Sequence, residues 1–162
     1  MERGRPRSFN EETVLDAALN VFWRCGFQNA SLSELTKATG LSKPSLYAAF
    51  GDKKSLYLRA LQRYVAFLSE SCGKELRDER NSKQAVEAYL TSMSRMLTDP
   101  ALPGGCFIVT GTADFGGPLL PPDVEDALKQ AFSSSEALLT EHLRHAKTIG
   151  DLPESADPER LA

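Results

Sequence analysis

Between residues 31 and 50 the chain carries two helix starts and two helix stops, and their spacing leaves little freedom. Ser31-Leu32-Ser33-Glu34 has the form of a capping box, in which a serine hydroxyl caps the first turn and a glutamate three residues on reaches back. A helix is therefore predicted from Leu32. Thr39-Gly40-Leu41-Ser42 stops it, and Ser42 caps a second short helix, with Pro44 tolerated in its first turn, that ends near Ala49. Two short helices around a glycine-containing break cross steeply. This is the form of a helix-turn-helix, whose second helix projects into a major groove. Leu32, Leu35, Ala38, Leu41, Leu46 and Phe50 supply the apolar contacts that fix the crossing. Because two short helices bury too little surface alone, a third wall is needed. It is predicted over residues 11–25, capped by Asn10 and stopped by Gly26, with Val14, Ala18, Val21, Phe22 and Cys25 on one stripe.

If Leu46 and Phe50 face inward, Lys43, Ser45, Tyr47 and Ala48 face outward, and the cation and hydroxyls among them suit phosphate oxygens and base edges. Ser31, Ser42 and Pro44 belong to the same candidate DNA-contacting set. Lys53 and Lys54 join it at the start of the next helix, where backbone N–H groups add to their attraction for phosphate. Arg3, Arg5 and Arg7, within residues 1–9, form a basic arm expected to follow the backbone or enter a minor groove. The net charge of -3 conceals an asymmetry. Residues 1–63 hold ten basic and six acidic side chains, a balance of +4, and the remainder nine and sixteen, a balance of -7. A basic front on an acidic back fits a DNA-contacting head on a body that does not touch DNA.

Helix-period apolar spacing recurs along the rest of the chain, and no segment alternates as a strand would, so the fold is predicted to be all-α. A long helix capped by Asp52 runs towards Arg77, a fifth covers 83–97, a shorter sixth lies within 104–112, and a seventh opens at Pro121-Pro122-Asp123. A linker at 152–158 leads to a last helix start near Glu159. No apolar run approaches the roughly 18 residues that span a bilayer, and the basic N-terminus lacks a signal-peptide core, so a cytoplasmic location and no membrane partner are expected. The three cysteines, Cys25, Cys72 and Cys106, show no metal-ligand spacing and read as small buried hydrophobes.

Residues 10–68 resemble the N-terminal domain of the TetR family of one-component bacterial regulators. The resemblance is carried by Ala17-Ala18-Leu19-Asn20-Val21-Phe22, Gly26-Phe27, Ala30-Ser31-Leu32, Gly40-Leu41-Ser42, Leu46-Tyr47-Ala48-Ala49-Phe50 and Gly51-Asp52-Lys53-Lys54-Ser55-Leu56, in that order and spacing. It implies that Tyr47 and Lys53 contact phosphates of operator DNA and that Ser31 caps its helix close to the duplex. It also implies a helical C-terminal domain with an inducer pocket, release of DNA on ligand binding, and a homodimer. The division expected is a basic arm at 1–9, a DNA-binding domain at 10–51 and a regulatory domain at 52–162. Two departures stand out. Many members carry alanine where this chain has Thr36, whose hydroxyl is expected to bond back to the preceding turn. Two further helices that usually follow and pair subunits are missing from this chain, so a homodimer is expected to use another surface, such as the seventh helix, or a longer form.

Tyr64, Phe67, Met93, Met96, Cys106, Phe107, Thr110 and Phe115 are the residues expected to line the pocket, which would take an apolar or aromatic effector. Each of them is also an ordinary core residue by type. Cys106 raises the alternative of redox or electrophile sensing, although no Lys, Arg or His lies near it in sequence to favour the thiolate. A protein–protein adaptor that keeps the helix-turn-helix as scaffold is the other alternative. Glu141-His142 and His145 give too few ligands for a metal site, and no cofactor is called for. Gly104-Gly105 lacks a P-loop lysine and there is no Gly-x-Ser-x-Gly elbow, so catalysis is not expected.

Overall fold

The computed structural model describes residues 9–77, 81–117 and 119–162, and among them every regular element is helical. The basic arm with Arg3, Arg5 and Arg7 lies outside the described residues. The elements are α1 (Glu11–Asn29), α2 (Leu32–Thr39), α3 (Lys43–Phe50), α4 (Lys53–Ser71), a 3-10 turn (Gly73–Arg77), α5 (Ser82–Thr98), α6 (Phe107–Thr112), α7 (Pro122–Thr148) and α8 (Pro158–Leu161).

Helix starts follow local chemistry. Asn10 Oδ1 accepts from the amides of Glu12 and Thr13, Ser42 Oγ from Ser45, and Asp52 Oδ1 from Ser55, at 2.9, 3.3, 3.3 and 2.7 Å. At Ser31 the full capping box forms: Ser31 Oγ accepts from the Glu34 amide at 3.2 Å, and the Glu34 carboxylate accepts from the Ser31 amide at 3.0 Å. Gly40 closes α2 in the left-handed conformation, φ 67°. The Thr36 hydroxyl donates to the Ser33 carbonyl at 3.0 Å, bonding back to the preceding turn.

Two ends differ from the spacing's prediction. Regular α1 geometry breaks at Gly26 (φ 72°, ψ -174°), but a last turn continues to Asn29 instead of ending the helix at Cys25. That turn is held by a residue distant in sequence: the Gln28 amide donates to Asp114 Oδ2 at 3.0 Å. The fourth helix, expected to reach Arg77, stops at Ser71 and tightens into the 3-10 turn. There α7 approaches so closely that a Cβ on Gly73 would lie 3.2 Å from Leu138 Cδ2.

One apolar core runs through the molecule. Val14, Ala18, Val21 and Phe22 of α1 meet Leu35, Leu46 and Phe50 at one end and Leu56, Tyr57 and Ala60 of α4 at the other. Edge-to-face rings carry it onward: Phe22 and Phe27 onto Tyr57 (5.0 and 5.3 Å), Tyr57 onto Phe107 (5.1 Å), and Phe107 onto Tyr64 (5.5 Å). The core therefore passes without interruption across residues 51 and 52. Side-chain ties add to it: Trp23 Nε1 donates to the Gly105 carbonyl at 3.1 Å, and Arg63 is paired with Asp16. At the far end His142 Nδ1 meets the Leu76 carbonyl at 2.9 Å, and Arg144 pairs with Glu159 of α8 at 2.6 Å. Among the described residues, no helix is long and apolar enough to cross a membrane.

Candidate nucleic-acid interface

Leu46 and Phe50 are buried against α1 and α4, which leaves the opposite face of α3 to solvent. Lys43, Pro44, Ser45 and Ala48 are exposed there, and Tyr47 is half-buried. The Lys43 ammonium stands 5.7 Å from the centre of the Tyr47 ring, a cation–π distance that keeps charge and phenol side by side on this face. Ser42 and Ser45 join through their hydroxyls at 2.9 Å while the same Ser42 oxygen caps the helix. Ser31 is exposed at the start of α2, its hydroxyl shared between the Glu34 amide and carboxylate. These bonds hold the Glu34 carboxyl below its ordinary range.

Alongside this face lies a shallow cleft that the sequence reading did not single out. It is lined by Leu32, Ser33, Thr36 and Lys37 of α2, the turn at Gly40 and Leu41, and Ser42 and Lys43. Among the described residues two lysines and no acid border it. The 33-36-37-40 spacing, one helical face opposite Leu35, carries its signal in the sequence.

The two lysines at the start of α4 are placed differently from each other. Lys53 turns inward: its Nζ donates to the Gln28 carbonyl at 3.3 Å and sits 4.8 Å from the Phe27 ring centre. Burial pushes its ammonium pKa down, against the pull of Asp114 and Glu34. One helical step further, about 100° around the axis, Lys54 pairs with Asp123 Oδ2 of α7 at 2.7 Å. In this structure its ammonium is thus turned towards α7 and away from the face that carries Lys43 and Tyr47. Lys53 and Lys54, adjacent in sequence and both expected in the DNA-contacting set, differ in direction around the helix axis.

The expected pocket residues also separate. A cavity of about 420 Å³ lies among α4, α5, α6 and α7, with Val65, Leu68, Tyr89, Ile108 and Leu138 in its walls. Of the eight residues expected to line a pocket, Met93 and Cys106 do so. Tyr64 and Phe107 are fully buried core and Met96 nearly so. Phe67 faces a different cleft between α1 and α4 beside Trp23 and Leu19. The Thr110 hydroxyl bonds back to the Cys106 carbonyl at 3.0 Å, and Phe115 lies beneath Lys129. Residues missed by the sequence reading include Cys72, Phe132 and Ser135, all on this cavity. Among the described residues no charged side chain lines it; the polar groups are hydroxyls and the thiols of Cys72 and Cys106. Tyr64 Oη donates to Cys106 Sγ at 3.3 Å, and burial raises both the Tyr64 phenol and the Cys72 thiol above their ordinary values.

Comparison with known proteins agrees with this geometry. Residues 14–60 match the profile described as bacterial regulatory proteins, tetR family, and residues 82–162 match the tetracyclin repressor-like C-terminal domain. The HTH-type transcriptional repressor ComR of Escherichia coli K12 is 30% identical over 165 residues, spanning 99% of this chain and 76% of that protein. The repressor BdcR of the same strain is 30% identical over 140 residues, covering 86% and 68%. Among solved structures, a cysteine-substituted CifR, a TetR family transcriptional regulator complexed with 26-base-pair operator DNA, superposes with a TM-score of 0.86 at 33% identity, covering 98% of this chain and 81% of that one. The chain belongs to the TetR family of bacterial transcriptional regulators and is a DNA-binding protein.

Proposed function

We propose that the chain is a repressor whose α3 enters the major groove of an operator, and that a neutral apolar effector bound among α4 to α7 releases it. The observation that carries the release step is the cavity itself. It is about 420 Å³, within the range of small-molecule sites, and among the described residues no charged side chain lines it. Burying an ionised ligand there would leave its charge unpaired, so the site selects an uncharged molecule with at most a few hydrogen-bonding groups. The division is a DNA-binding head at 10–51 and a regulatory body at 52–162, with α4 shared between their packing.

The contacts proposed for DNA are Lys43, Ser45 and Tyr47 on α3, Ser42 and Pro44 at its start, Ser31 and Lys37 on the α2 side, and Lys53 at the α4 start. A homodimer places two α3 helices about 34–36 Å apart, one helical turn of DNA. An effector that shifts α4 changes that separation and lowers affinity without altering the contact face. The ComR and BdcR relatives are named repressors, which supports the sense of regulation. The protein acts in the cytoplasm and is not an enzyme.

Tyr47→Ala with Lys43→Ala is expected to weaken binding to operator-containing duplex and to flatten its salt dependence, with the helical circular-dichroism spectrum unchanged. Undiminished binding would refute α3 as the contact face. A thermal-shift screen of neutral aromatics against their ionised analogues tests the cavity, since a ligand of the native state raises the melting temperature by mass action. Stabilisation by the ionised set alone would refute the neutral-effector reading.

A second reading is favoured by one observation. Cys72 and Cys106 both line the cavity, and Cys106 accepts the Tyr64 hydroxyl. In this reading the effector is an electrophile captured by Cys106, and mass spectrometry of protein exposed to N-ethylmaleimide is expected to show Cys106 labelled ahead of Cys25.

A further inference from the structure

Tyr57 is fully buried at the junction of α1, α4 and α6, yet among the described residues its hydroxyl has no hydrogen-bond partner. An orphaned buried hydroxyl costs about 1–3 kcal/mol, so its presence calls for a partner elsewhere in the molecule's repertoire. The oxygen lies against the last turn of α6: a Cβ built on Gly111 would be 2.8 Å from Tyr57 Oη. Asp114 follows three residues later, in the turn just after α6, its amide bonded to the Gly111 carbonyl at 3.2 Å. In this structure its carboxylate is engaged on the other side, accepting from the Gln28 amide at 3.0 Å. Gly26, whose added Cβ would lie 3.1 Å from Asp114 Oδ2, permits that approach. The Gln28 carbonyl in turn receives Lys53 Nζ. Asp114 thus ties the turn after α6 to the end of α1, and through it to the lysine at the start of α4.

We propose that Asp114 is a positioning residue with two alternative partners. In this structure it pins the end of α1 through the Gln28 amide. When α6 is displaced it turns to the buried Tyr57 hydroxyl and releases the α1 end, and with it the Gln28 carbonyl that holds Lys53 in position. Ile108 and Val109 of α6 line the cavity, so an occupant presses on the helix that leads directly into the turn bearing Asp114. The regulatory sense rests on the effector reading of that cavity; the exchange of partners does not. The charge of Asp114 adds to burial in raising the Tyr57 phenol, as proximity of the two groups requires.

The test needs no effector. Hydrogen exchange of the Gln28 backbone amide is followed in the ligand-free full chain, with Val21 in the middle of α1 as the internal reference. Tyr57→Phe removes only the unpartnered hydroxyl, and with it the competing state. It is expected to slow Gln28 exchange by about threefold or more relative to Val21, because local exchange reports the population of the open form. Asp114→Ala removes the pin and is expected to speed Gln28 exchange and to weaken binding to a duplex selected by the wild-type chain from a random-sequence pool. Gln28 exchange unchanged or faster in Tyr57→Phe would overturn the proposal, as a purely structural tyrosine predicts. So would Asp114→Ala with wild-type exchange at Gln28. If Gln28 slows in Tyr57→Phe while the thermal-shift screen finds no ligand, the partner exchange stands and the cavity reading falls.

Discussion

Gly111 sits in the last turn of α6 without a positive φ, so its replacement by alanine puts two opposing terms in direct competition. Alanine restores helix propensity, a gain of about 0.5–1 kcal/mol over glycine. Against that, a Cβ at this position would lie 2.7 and 2.9 Å from the two methyls of Leu128 and 2.8 Å from Tyr57 Oη. All three are closer than van der Waals contact, and both neighbours are fully buried, so neither has room to retreat. Overpacking of this kind costs about 1–3 kcal/mol. The steric term wins, with a net loss of roughly 1–2 kcal/mol, or about 2–4 °C in melting temperature for each kcal/mol in a chain of this size. Urea unfolding followed by circular dichroism should show a lower midpoint at unchanged slope. The decisive measurement is the double variant with Leu128→Ala. That change alone opens a cavity and costs about 2–5 kcal/mol, but it also removes two of the three collisions. Gly111→Ala should therefore cost much less in the Leu128→Ala background than in the wild type. A Gly111→Ala protein as stable as the parent, or strict additivity in the double variant, would refute the claim that α6 is seated by direct backbone contact.

Ser31→Ala removes the hydroxyl that caps α2 and should lower stability by about 1 kcal/mol, with Ser31→Asp restoring most of it; an unchanged urea midpoint would show that the cap is idle. The Lys54 ammonium holds the Asp123 carboxyl below its ordinary value. A carboxyl depressed in the folded state stabilises above its unfolded pKa, about 3.9, and that stabilisation is lost as pH falls through the folded value. Asp123→Asn should accordingly flatten the acid limb of a stability–pH curve, and the difference from wild type should shrink at high salt because the pair is exposed.

The parts of the molecule legible in the sequence are those fixed by neighbours within a turn or two. The boundaries of α2 and α3 follow from Ser31, Glu34, Gly40 and Ser42, whose partners lie within a few residues, so pattern and structure coincide there. The outward face of α3 follows as soon as Leu46 and Phe50 are assigned inward. What sequence spacing missed is set at long range. The last turn of α1 exists because Asp114, 86 residues away, caps it, and α4 stops where Leu138 of α7 comes up against Gly73. The pocket shows the same limit. Residue type made Tyr64 and Phe107 plausible walls, but whether an aromatic ring fills a core or borders a cavity depends on which neighbouring helix it meets. The rings of these two meet each other and Tyr57, and so close the core. Lys53 and Lys54 are the sharpest case: identical and adjacent, they are told apart only by where α1 and α7 supply a carbonyl and a carboxylate. The contact face is therefore a local property of residues 31–50, whereas its regulation depends on α6 and α7, and substitutions there should alter DNA affinity without touching any residue that meets DNA.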